Sequence, residues 1–256
     1  MRIVGIIPAR MASTRFPGKP LADIMGRPMI HHVYFRSGLC TKLDELYIAT
    51  CDREIRDYCE DNGIKVVMTK DTHERASDRA AEAISKIDRR TGKRTDIVVM
   101  IQGDEPLVLP EMIDRSLRPI LRDKSIDIVN LMAPIGSKKE QKDPNLVKVV
   151  VDRDDFALYF SREPIPSWKK GAKDVPMYKQ VPIIPFTRDF LTKFNRLSAT
   201  PLEVIESVDM LRVMEHGYKV KMVPVSYGTQ SVDTLEDLEK VRKMMKKDKL
   251  FRKRYE

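Results

Sequence analysis

Three cationic side chains lie close together in the segment that follows the first apolar run of the chain. They are Arg10, Arg15 and Lys19, and the same segment contains the small residues Ala9, Ala12, Ser13 and Gly18. Small residues let backbone N–H groups approach an anion, while guanidinium and ammonium groups supply fixed positive charge. The segment therefore predicts a cradle for a triphosphate, although a solvated basic loop would have the same composition.

Two carboxylates could add a divalent cation to this cradle. Asp104 follows the apolar run 97–101 within the segment QGDEP, and Asp233 follows another predicted strand. Carboxylates at strand ends are suited to hold Mg²⁺ on nucleotide phosphates. Glu105 is not assigned to the metal, because adjacent side chains do not converge on one ion. Taken alone, Asp104 is also consistent with a plain turn and Asp233 with an acid at a helix start.

Several classes of protein are excluded by patterns that the sequence lacks. Neither G-x-G-x-x-G nor G-x-x-x-x-G-K-[ST] occurs, which argues against a dehydrogenase and against a conventional ATPase. The three cysteines, Cys40, Cys51 and Cys59, form no C-x-x-C pair. Their number and spacing support neither a disulfide framework nor a zinc site, so we expect reduced packing residues.

The elements that must position these side chains alternate between strand and helix. The predicted strands are 2–7, 45–49, 65–68 and 96–102, and the predicted helices are 29–37, 54–62 and 77–88. Strands separated by helices imply right-handed crossovers in a mostly parallel, doubly wound α/β sheet. Ligands of such sheets bind beyond the carboxyl ends of the strands, where the basic segment and Asp104 both fall.

The pattern changes from about residue 126. Strand-like segments with short connections at 126–133, 147–152 and 157–160 predict an antiparallel section. The remaining predictions are Pro-rich loops at 163–168 and 181–186, one helix at 201–216, a strand at 219–225 and a final helix from Thr234 into the tail. We expect a single domain over 1–256, in which this section forms an antiparallel patch or arm.

The composition is that of a soluble chain without a membrane segment. It is 42% hydrophobic over 256 residues. Its longest apolar runs fall far short of the ~20 residues that cross a bilayer. The first residues lack the apolar core of a secretion signal. We therefore expect a cytoplasmic protein.

Most of the net charge of +9 comes from the C-terminal tail. From Arg242 to Arg254, eight Lys or Arg residues stand against one acid, Asp248. We interpret the tail as a solvated helical end, whose removal should leave nucleotide binding nearly normal. A nucleic-acid-binding protein that uses this tail is the distant alternative, disfavoured because only Phe251 and Tyr255 could stack on bases.

In combination, the segments resemble the CMP-KDO synthetases, or 3-deoxy-manno-octulosonate cytidylyltransferases. The matching segments, in order over nearly the whole chain, are PARMASTRFPGKPL (8–21), IQGDEP (101–106), DPNLVKVV (143–150), ALYFSR (157–162), PLE (201–203) and VDTLEDLEKVR (232–242). The first is shared with other sugar-activating nucleotidyltransferases, whereas ALYFSR and the late VDT point to the KDO branch. The resemblance implies a nucleotide-diphospho-sugar transferase fold, which is a Rossmann-like, mostly parallel sheet with a small antiparallel dimerisation arm. It also implies that this arm, at about 146–200, binds the acceptor and forms a homodimer.

The resemblance also implies the reaction and the residues that perform it. The anomeric hydroxyl of a sugar acid attacks the α-phosphorus of CTP, giving a CMP-sugar for surface glycan synthesis and pyrophosphate, with Mg²⁺ as cofactor. The implied catalytic residues are Lys19, Asp104 and Asp233, and the two aspartates hold the metal. The implied nucleotide-binding residues are Ala9, Arg10, Ser13, Arg15, Lys19, Ser77 and Gln102. The implied acceptor-binding residues are Gln102, Arg162, Gln180 and Asp209, with Arg162 on the acceptor carboxylate.

Three segments depart from the family pattern. HERASDR (73–79) keeps the outer His and Arg of a segment near the nucleotide base but places a cation in its middle. Gln180 and Ile184 replace a sugar-facing His and Tyr, while Asp209 and Met210 replace a Glu and a Gln. An unpaired buried polar group costs ~1–3 kcal/mol, so these changes predict poor KDO binding unless other groups compensate. The acceptor could instead be an amino-sugar acid or a phosphate or phosphonate compound.

Overall fold

The computed structural model describes residues 1–12, 16–167, 169–171, 175–226 and 229–254, with side chains up to residue 251. Two of the predicted nucleotide-binding residues, Ser13 and Arg15, lie outside the described residues. The chain divides into two compact units, one formed by Met1–Asp114 with Thr229–Glu256 and the other by Arg115–Gly228. The predicted arm at 146–200 falls within the second unit.

The strands and helices of the described residues are as follows. The strands are β1 (Ile3–Pro8), β2 (Asp23–Ile24), β3 (Arg27–Pro28), β4 (Glu45–Thr50), β5 (Val66–Met68), β6 (Ile97–Ile101), β7 (Val129–Pro134), β8 (Lys148–Val151), β9 (Ala157–Ser161), β10 (Tyr178–Val181), β11 (Ile183–Thr187) and β12 (Lys221–Pro224). The helices are α1 (Met29–Gly38), α2 (Arg53–Asp61), α3 (Ala76–Thr91), α4 (Pro110–Arg122), α5 (Lys138–Lys142), α6 (Arg188–Phe194), α7 (Pro201–Glu206), α8 (Asp209–Glu215), α9 (Leu235–Met245) and α10 (Lys249–Arg254). A short 3₁₀ helix spans Lys19–Leu21.

The first unit contains a parallel sheet in the order β6, β1, β4 and β5. Strands β1 and β6 are buried at every position, as expected for Val- and Ile-rich strands covered on both faces. Because the strands are parallel, their carboxyl ends at Pro8, Thr50, Met68 and Ile101 share one edge of the sheet. The predicted doubly wound arrangement is confirmed.

The second unit contains a mixed sheet in the order β12, β7, β10, β8 and β9. Its pairs are antiparallel except for β7 with β12. The antiparallel section expected after residue 126 is therefore confirmed.

Two predictions for the second unit are wrong in detail. The Pro-rich segment 181–186 is not a loop, because β10 ends in it and β11 begins at Ile183, with Ile183, Ile184 and Phe186 buried. The predicted helix 201–216 is two helices, α7 and α8, separated at Ser207. Ser207 has a φ of 52°, a left-handed conformation that ends a helix.

The tail is also different from its prediction as a solvated end. Met245 and Phe251 are buried in an apolar cluster with Leu238, Val241, Ile24, Met29, Leu107 and Val232. The basic tail therefore also contributes buried apolar side chains to the core of the first unit. Of the cysteines, all three are free, and Cys40 and Cys59 are buried, as expected for packing residues. Within the described residues, every helix is too short or too polar to span a bilayer.

Candidate active site

The basic segment leaves β1 at Pro8 and is anchored to the neighbouring strand. The Ala9 N–H donates to the Ala49 carbonyl over 2.9 Å, and the Met11 N–H donates to the Asp52 carboxylate over 2.7 Å. Asp52 was not predicted to act here, although its position just after β4 matches that of Asp104 after β6. Gly18, with a φ of 72°, then turns the chain into the 3₁₀ helix that begins at Lys19.

The three residues predicted for catalysis meet at the carboxyl edge of the parallel sheet. The Lys19 ammonium lies 2.8 Å from an Asp104 carboxylate oxygen and 3.4 Å from an Asp233 carboxylate oxygen. The side chains of Lys19, Asp104 and Asp233 are 13%, 28% and 22% exposed. One cation is thus shared by two carboxylates that remain accessible to solvent.

Backbone packing brings the two aspartates together. Asp104 follows β6 through Gly103, where a Cβ atom would lie 2.8 Å from the Pro8 carbonyl oxygen, so this close approach requires glycine. The Val232 N–H donates to the Asp104 carbonyl over 3.0 Å. Asp233 comes next, directly before Thr234, which caps α9 in a capping box with Asp237.

A cavity of about 780 Å³ opens beside this centre. A volume in this range is typical of sites for small molecules and cofactors. Its lining includes six of the predicted residues, namely Ala9, Arg10, Lys19, Gln102, Asp104 and Asp233. It also includes the start of α3 and the segment before it, through His73, Glu74, Arg75, Ala76 and Arg79. Predicted Ser77 is buried in the first turn of α3.

Arg79 presents an unused donor at the wall of the cavity. Its side chain is 3% exposed, and Nη1 donates to the Thr69 hydroxyl over 2.5 Å and to the Lys70 carbonyl over 3.3 Å. Buried Nη2 has no hydrogen-bond partner among the described residues. Because buried donors are normally paired, this nitrogen is suited to an acceptor on a bound ligand.

The wall before α3 is held by the carboxylate of Glu82. It accepts hydrogen bonds from the Lys70 N–H over 2.9 Å and from His73 Nε2 over 2.5 Å, and it pairs with Lys86 over 2.8 Å. Burial alone would raise the pKa of Glu82, but these donors outweigh it and lower the pKa to about 2. Glu82 is therefore an ionised anchor for this part of the cavity.

The donor set of the centre fits a magnesium ion. Two carboxylates already converge on one positive charge, the Lys19 ammonium. Mg²⁺ is typically held by one or two carboxylates together with waters and substrate phosphates. Within the described residues there is no group of three or more His, Cys, Asp or Glu side chains that could form a closed cage for a metal.

In the second unit, predicted Arg162 is surrounded by backbone carbonyls. Its guanidinium donates to the carbonyls of Glu206 over 2.6 Å, Pro144 over 2.8 Å and Ser207 over 3.1 Å. Lys148 ties the same segments together, donating to the carbonyls of Asp143 and Arg162 over 2.6 Å each. The guanidinium therefore orders the backbone around it, in addition to any role with the acceptor.

Glu206, which sequence reasoning missed, collects the residues of the ALYFSR segment. Its carboxylate accepts from the Ser161 hydroxyl and the Arg162 N–H over 2.8 Å each, and from the Tyr159 hydroxyl over 3.3 Å. Burial would raise the pKa of Glu206, but these hydrogen bonds hold it below its ordinary value. The recognised segment thus folds around one carboxylate of α7.

The four residues that differ from the family pattern at the predicted acceptor site differ from one another in exposure to solvent. Ile184 is 3% exposed and Met210 is 1% exposed, so both are core side chains. Gln180 lies on β10 and Asp209 begins α8, and both are partly exposed. Only Gln180 and Asp209 are therefore placed where a ligand could reach them.

Known proteins with similar sequences identify the family of this chain. Residues 4–222 match the family described as Cytidylyltransferase. The 3-deoxy-manno-octulosonate cytidylyltransferase of Geobacter metallireducens is 43% identical over 251 residues, covering 94% of this chain and 96% of the relative. The enzyme of the same name from Syntrophobacter fumaroxidans is 43% identical over 249 residues, covering 97% and 98%.

Solved structures agree with the sequence matches. The structure of CMP:2-keto-3-deoxy-manno-octonic acid synthetase complexed with CTP has a TM-score of 0.89 and 37% identity, covering 96% of this chain and 99% of that one. A Leptospira borgpetersenii cytidylyltransferase, at 17% identity and a TM-score of 0.64, shares the fold. The Rossmann-like nucleotidyltransferase fold and the resemblance drawn from the motifs are both confirmed. Agreement over nearly the full length of these relatives places the chain among the cytidylyltransferases, in the family of 3-deoxy-manno-octulosonate cytidylyltransferases.

Proposed function

We propose that this cytidylyltransferase uses Mg²⁺ to transfer CMP from CTP to the anomeric hydroxyl of 3-deoxy-manno-octulosonate. The meeting of Lys19 with Asp104 and Asp233 beside a cavity carries the proposal. The names of the relatives support this acceptor, and the CTP in the similar solved structure supports this nucleotide. The burial of Ile184 and Met210 removes part of the case for a different acceptor.

The residues around the cavity divide the work of binding the nucleotide. Arg79 offers its unused Nη2 donor, and exposed Arg10 adds positive charge at the cavity. Lys19 is placed to donate to a phosphate oxygen, and Asp104 and Asp233 would hold Mg²⁺. When bound, Mg²⁺ would lower the pKa of the acceptor hydroxyl and balance negative charge on the departing pyrophosphate.

The transfer needs no covalent link to the protein. A new bond forms between the acceptor oxygen and the α-phosphorus, and the bond from that phosphorus to the oxygen bridging the β-phosphorus breaks. The hydroxyl proton passes to solvent. Such transfers depend mainly on positioning and on stabilising charge on oxygen atoms. Fixed side chains such as Lys19, rather than a protein nucleophile, are therefore what the chain must supply.

We also propose that two copies assemble through the second unit. Leu158, Val204 and Ile205 are 58%, 66% and 75% exposed. Exposed apolar side chains of this size are suited to an interface. Light scattering coupled to gel filtration tests this assembly, and a monomer at micromolar concentration would contradict it.

Pyrophosphate release tests the proposed reaction. The purified chain is supplied with CTP or UTP, with KDO or its amino analogue, and with Mg²⁺ or excess chelator. We expect a kcat/KM for KDO of about 10⁴ M⁻¹s⁻¹ or more with CTP and Mg²⁺, and no release in chelator. A preference for the amino analogue would shift the acceptor, and equal rates in chelator would remove the metal from the proposal.

A further inference from the structure

The side chain of Arg36, on α1, is completely buried. Its guanidinium donates to the Val108 carbonyl over 2.7 Å and to the Leu107 carbonyl over 3.4 Å. It also pairs with the Asp248 carboxylate over 2.8 Å, and the two side chains are 0% and 20% exposed. A buried guanidinium needs both hydrogen bonds and an opposite charge, so these partners account for its place in the core.

The partners of Arg36 belong to the two segments that carry the aspartates. Leu107 and Val108 lie in the loop that leaves β6, three and four residues after Asp104. Asp248 lies between α9 and α10, and α9 begins two residues after Asp233. One guanidinium therefore connects the Asp104 loop to the tail that continues from Asp233.

Two further contacts complete this connection. The Val232 N–H donates to the Asp104 carbonyl over 3.0 Å, which joins the two segments at the aspartates themselves. Leu107 and Val232 pack in one apolar cluster with Met245 and Phe251. Met245 and Phe251 lie on either side of Asp248 in the sequence. The two segments are thus held at the aspartates, through the cluster, and at the Arg36–Asp248 pair.

We propose that Arg36 and Asp248 are positioning residues, which set the distance between Asp104 and Asp233 for the metal. This inference rests on the proposed Mg²⁺ site. It gives the C-terminal tail a part in the active site, although no tail residue lines the cavity among the described residues. Groups that orient metal ligands typically change metal affinity or activity by 10-fold to 100-fold when removed.

The central variant is Asp248→Asn, which keeps the size of the side chain and an oxygen for Arg36 but removes the charge. We expect the Mg²⁺ concentration for half-maximal rate to rise by about 10-fold, with a smaller change in the KM for CTP. A second readout does not depend on turnover. Water proton relaxation by Mn²⁺, measured with CTP and without acceptor, should report weaker Mn²⁺ binding by a similar factor.

Glu45→Gln is the matched control. Glu45 pairs with Arg2 over 2.6 Å at side-chain exposures of 22% and 12%, at the opposite edge of the same sheet. Both variants should lower the Tm, but Glu45→Gln should leave the Mg²⁺ requirement and Mn²⁺ binding unchanged. A fall in Tm for Asp248→Asn with neither metal readout altered would overturn the inference, because the pair would then be structural only.

An apolar replacement keeps the test decisive if single variants fold poorly. Replacing a buried ion pair by apolar side chains often preserves stability, so Arg36→Met with Asp248→Leu should regain much of the Tm. The Leu107 and Val108 carbonyls would still lack their donor, so we expect the raised Mg²⁺ requirement to persist. A double variant that regains both the Tm and the wild-type Mg²⁺ requirement would overturn the inference. Absence of CMP-sugar formation by the wild-type chain would instead refute the proposed function, while Mn²⁺ binding would still test the pair.

Discussion

The charged groups around Asp104 and those around Arg162 are used in different ways. In the first unit, the Lys19 ammonium contacts two carboxylates, and all three side chains are partly exposed. In the second unit, the Arg162 guanidinium and the Lys148 ammonium donate to backbone carbonyls. An ammonium between two carboxylates can exchange partners when phosphates and a metal arrive. Charged side chains that are hydrogen-bonded to backbone carbonyls instead hold the backbone in one conformation.

The two regions should therefore respond differently to substitution. Loss of a charge from the Lys19 centre should reduce catalysis while leaving the fold intact, because these groups contact one another near solvent. Loss of a partner from the Arg162 region should lower stability and disturb acceptor binding together, because several backbone groups would lose their hydrogen bonds.

The largest effect is expected for Asp104→Asn and Asp233→Asn. Each should lower kcat by ~10²-fold or more, because a neutral amide is a poor ligand for Mg²⁺ and no longer balances Lys19. Asp114→Asn is the control, since Asp114 pairs with Lys42 over 2.9 Å at a similar exposure of 31%. Steady-state rates at saturating CTP and Mg²⁺ measure the effect. Nearly full Mg²⁺-dependent activity in either variant would show that its aspartate is not a metal ligand.

Lys19→Ala should have the next largest effect. We expect kcat/KM for CTP to fall by about 10-fold to 10²-fold, because a fixed positive charge near the phosphates is lost. Lys19→Arg should recover only part of it, since a guanidinium differs from an ammonium in shape and reach. Lys42→Ala removes the lysine of the other pair and should leave CTP kinetics unchanged. Equal CTP kinetics in Lys19→Ala and wild type would place the phosphates elsewhere.

Glu206→Gln tests the second region. An amide nitrogen would face donors that now meet a carboxylate, so we expect a loss of about 1–3 kcal/mol in the free energy of unfolding. The KM for the acceptor should rise while the KM for CTP stays constant. Glu215→Gln is the control, because Glu215 also accepts backbone N–H groups, those of Leu202 and Glu203, without touching Arg162. Urea unfolding and acceptor kinetics measure both variants, and an unchanged acceptor KM would confine Glu206 to stability.

The meeting of Lys19 with Asp104 could be predicted because the parallel strands β1 and β6 bring their carboxyl ends to one edge, whereas Asp233 follows β12 of the other sheet and was assigned to the site by the family resemblance. Arg36, Asp52 and Glu206 could not be predicted, since they act through backbone N–H and carbonyl groups that every residue possesses. The type of the partner residue therefore does not indicate that such a hydrogen bond forms. Even for Arg162, which the family resemblance identified, the hydrogen bonds to three backbone carbonyls were not predicted.

The same limit explains the errors in the fold. Prolines at 182 and 185 indicated a loop, yet buried Ile183, Ile184 and Phe186 make the segment a strand. In the tail, the density of lysine and arginine concealed Met245 and Phe251, whose burial depends on the distant residues Ile24 and Leu107. Local composition describes the exposed face of such a segment, whereas tertiary packing decides the buried one.

Glu82 shows that the two uses of charge do not simply follow the two units. It lies in the first unit, yet its carboxylate holds the Lys70 N–H and His73 as Glu206 holds the ALYFSR segment. Its pKa of about 2 is below the ordinary 4.5. The ionised carboxylate therefore stabilises the folded chain above pH 4.5, and this contribution is lost as the pH falls from 4.5 towards 2.

The smallest effect is accordingly a pH-dependent one in Glu82→Gln. At pH 7 the variant should be less stable than wild type, and the difference should shrink between pH 4.5 and pH 3, because Glu82 then binds a proton in the unfolded chain while its pKa of about 2 keeps it ionised in the folded chain. Urea unfolding at pH 7, 4.5 and 3 measures this convergence. A difference that stays constant over this range would mean that Glu82 acts through packing rather than charge. The ionised form of Glu82 would then not be what anchors the cavity wall. Of the charged groups compared, only those around Arg162 would remain as charges that hold the backbone.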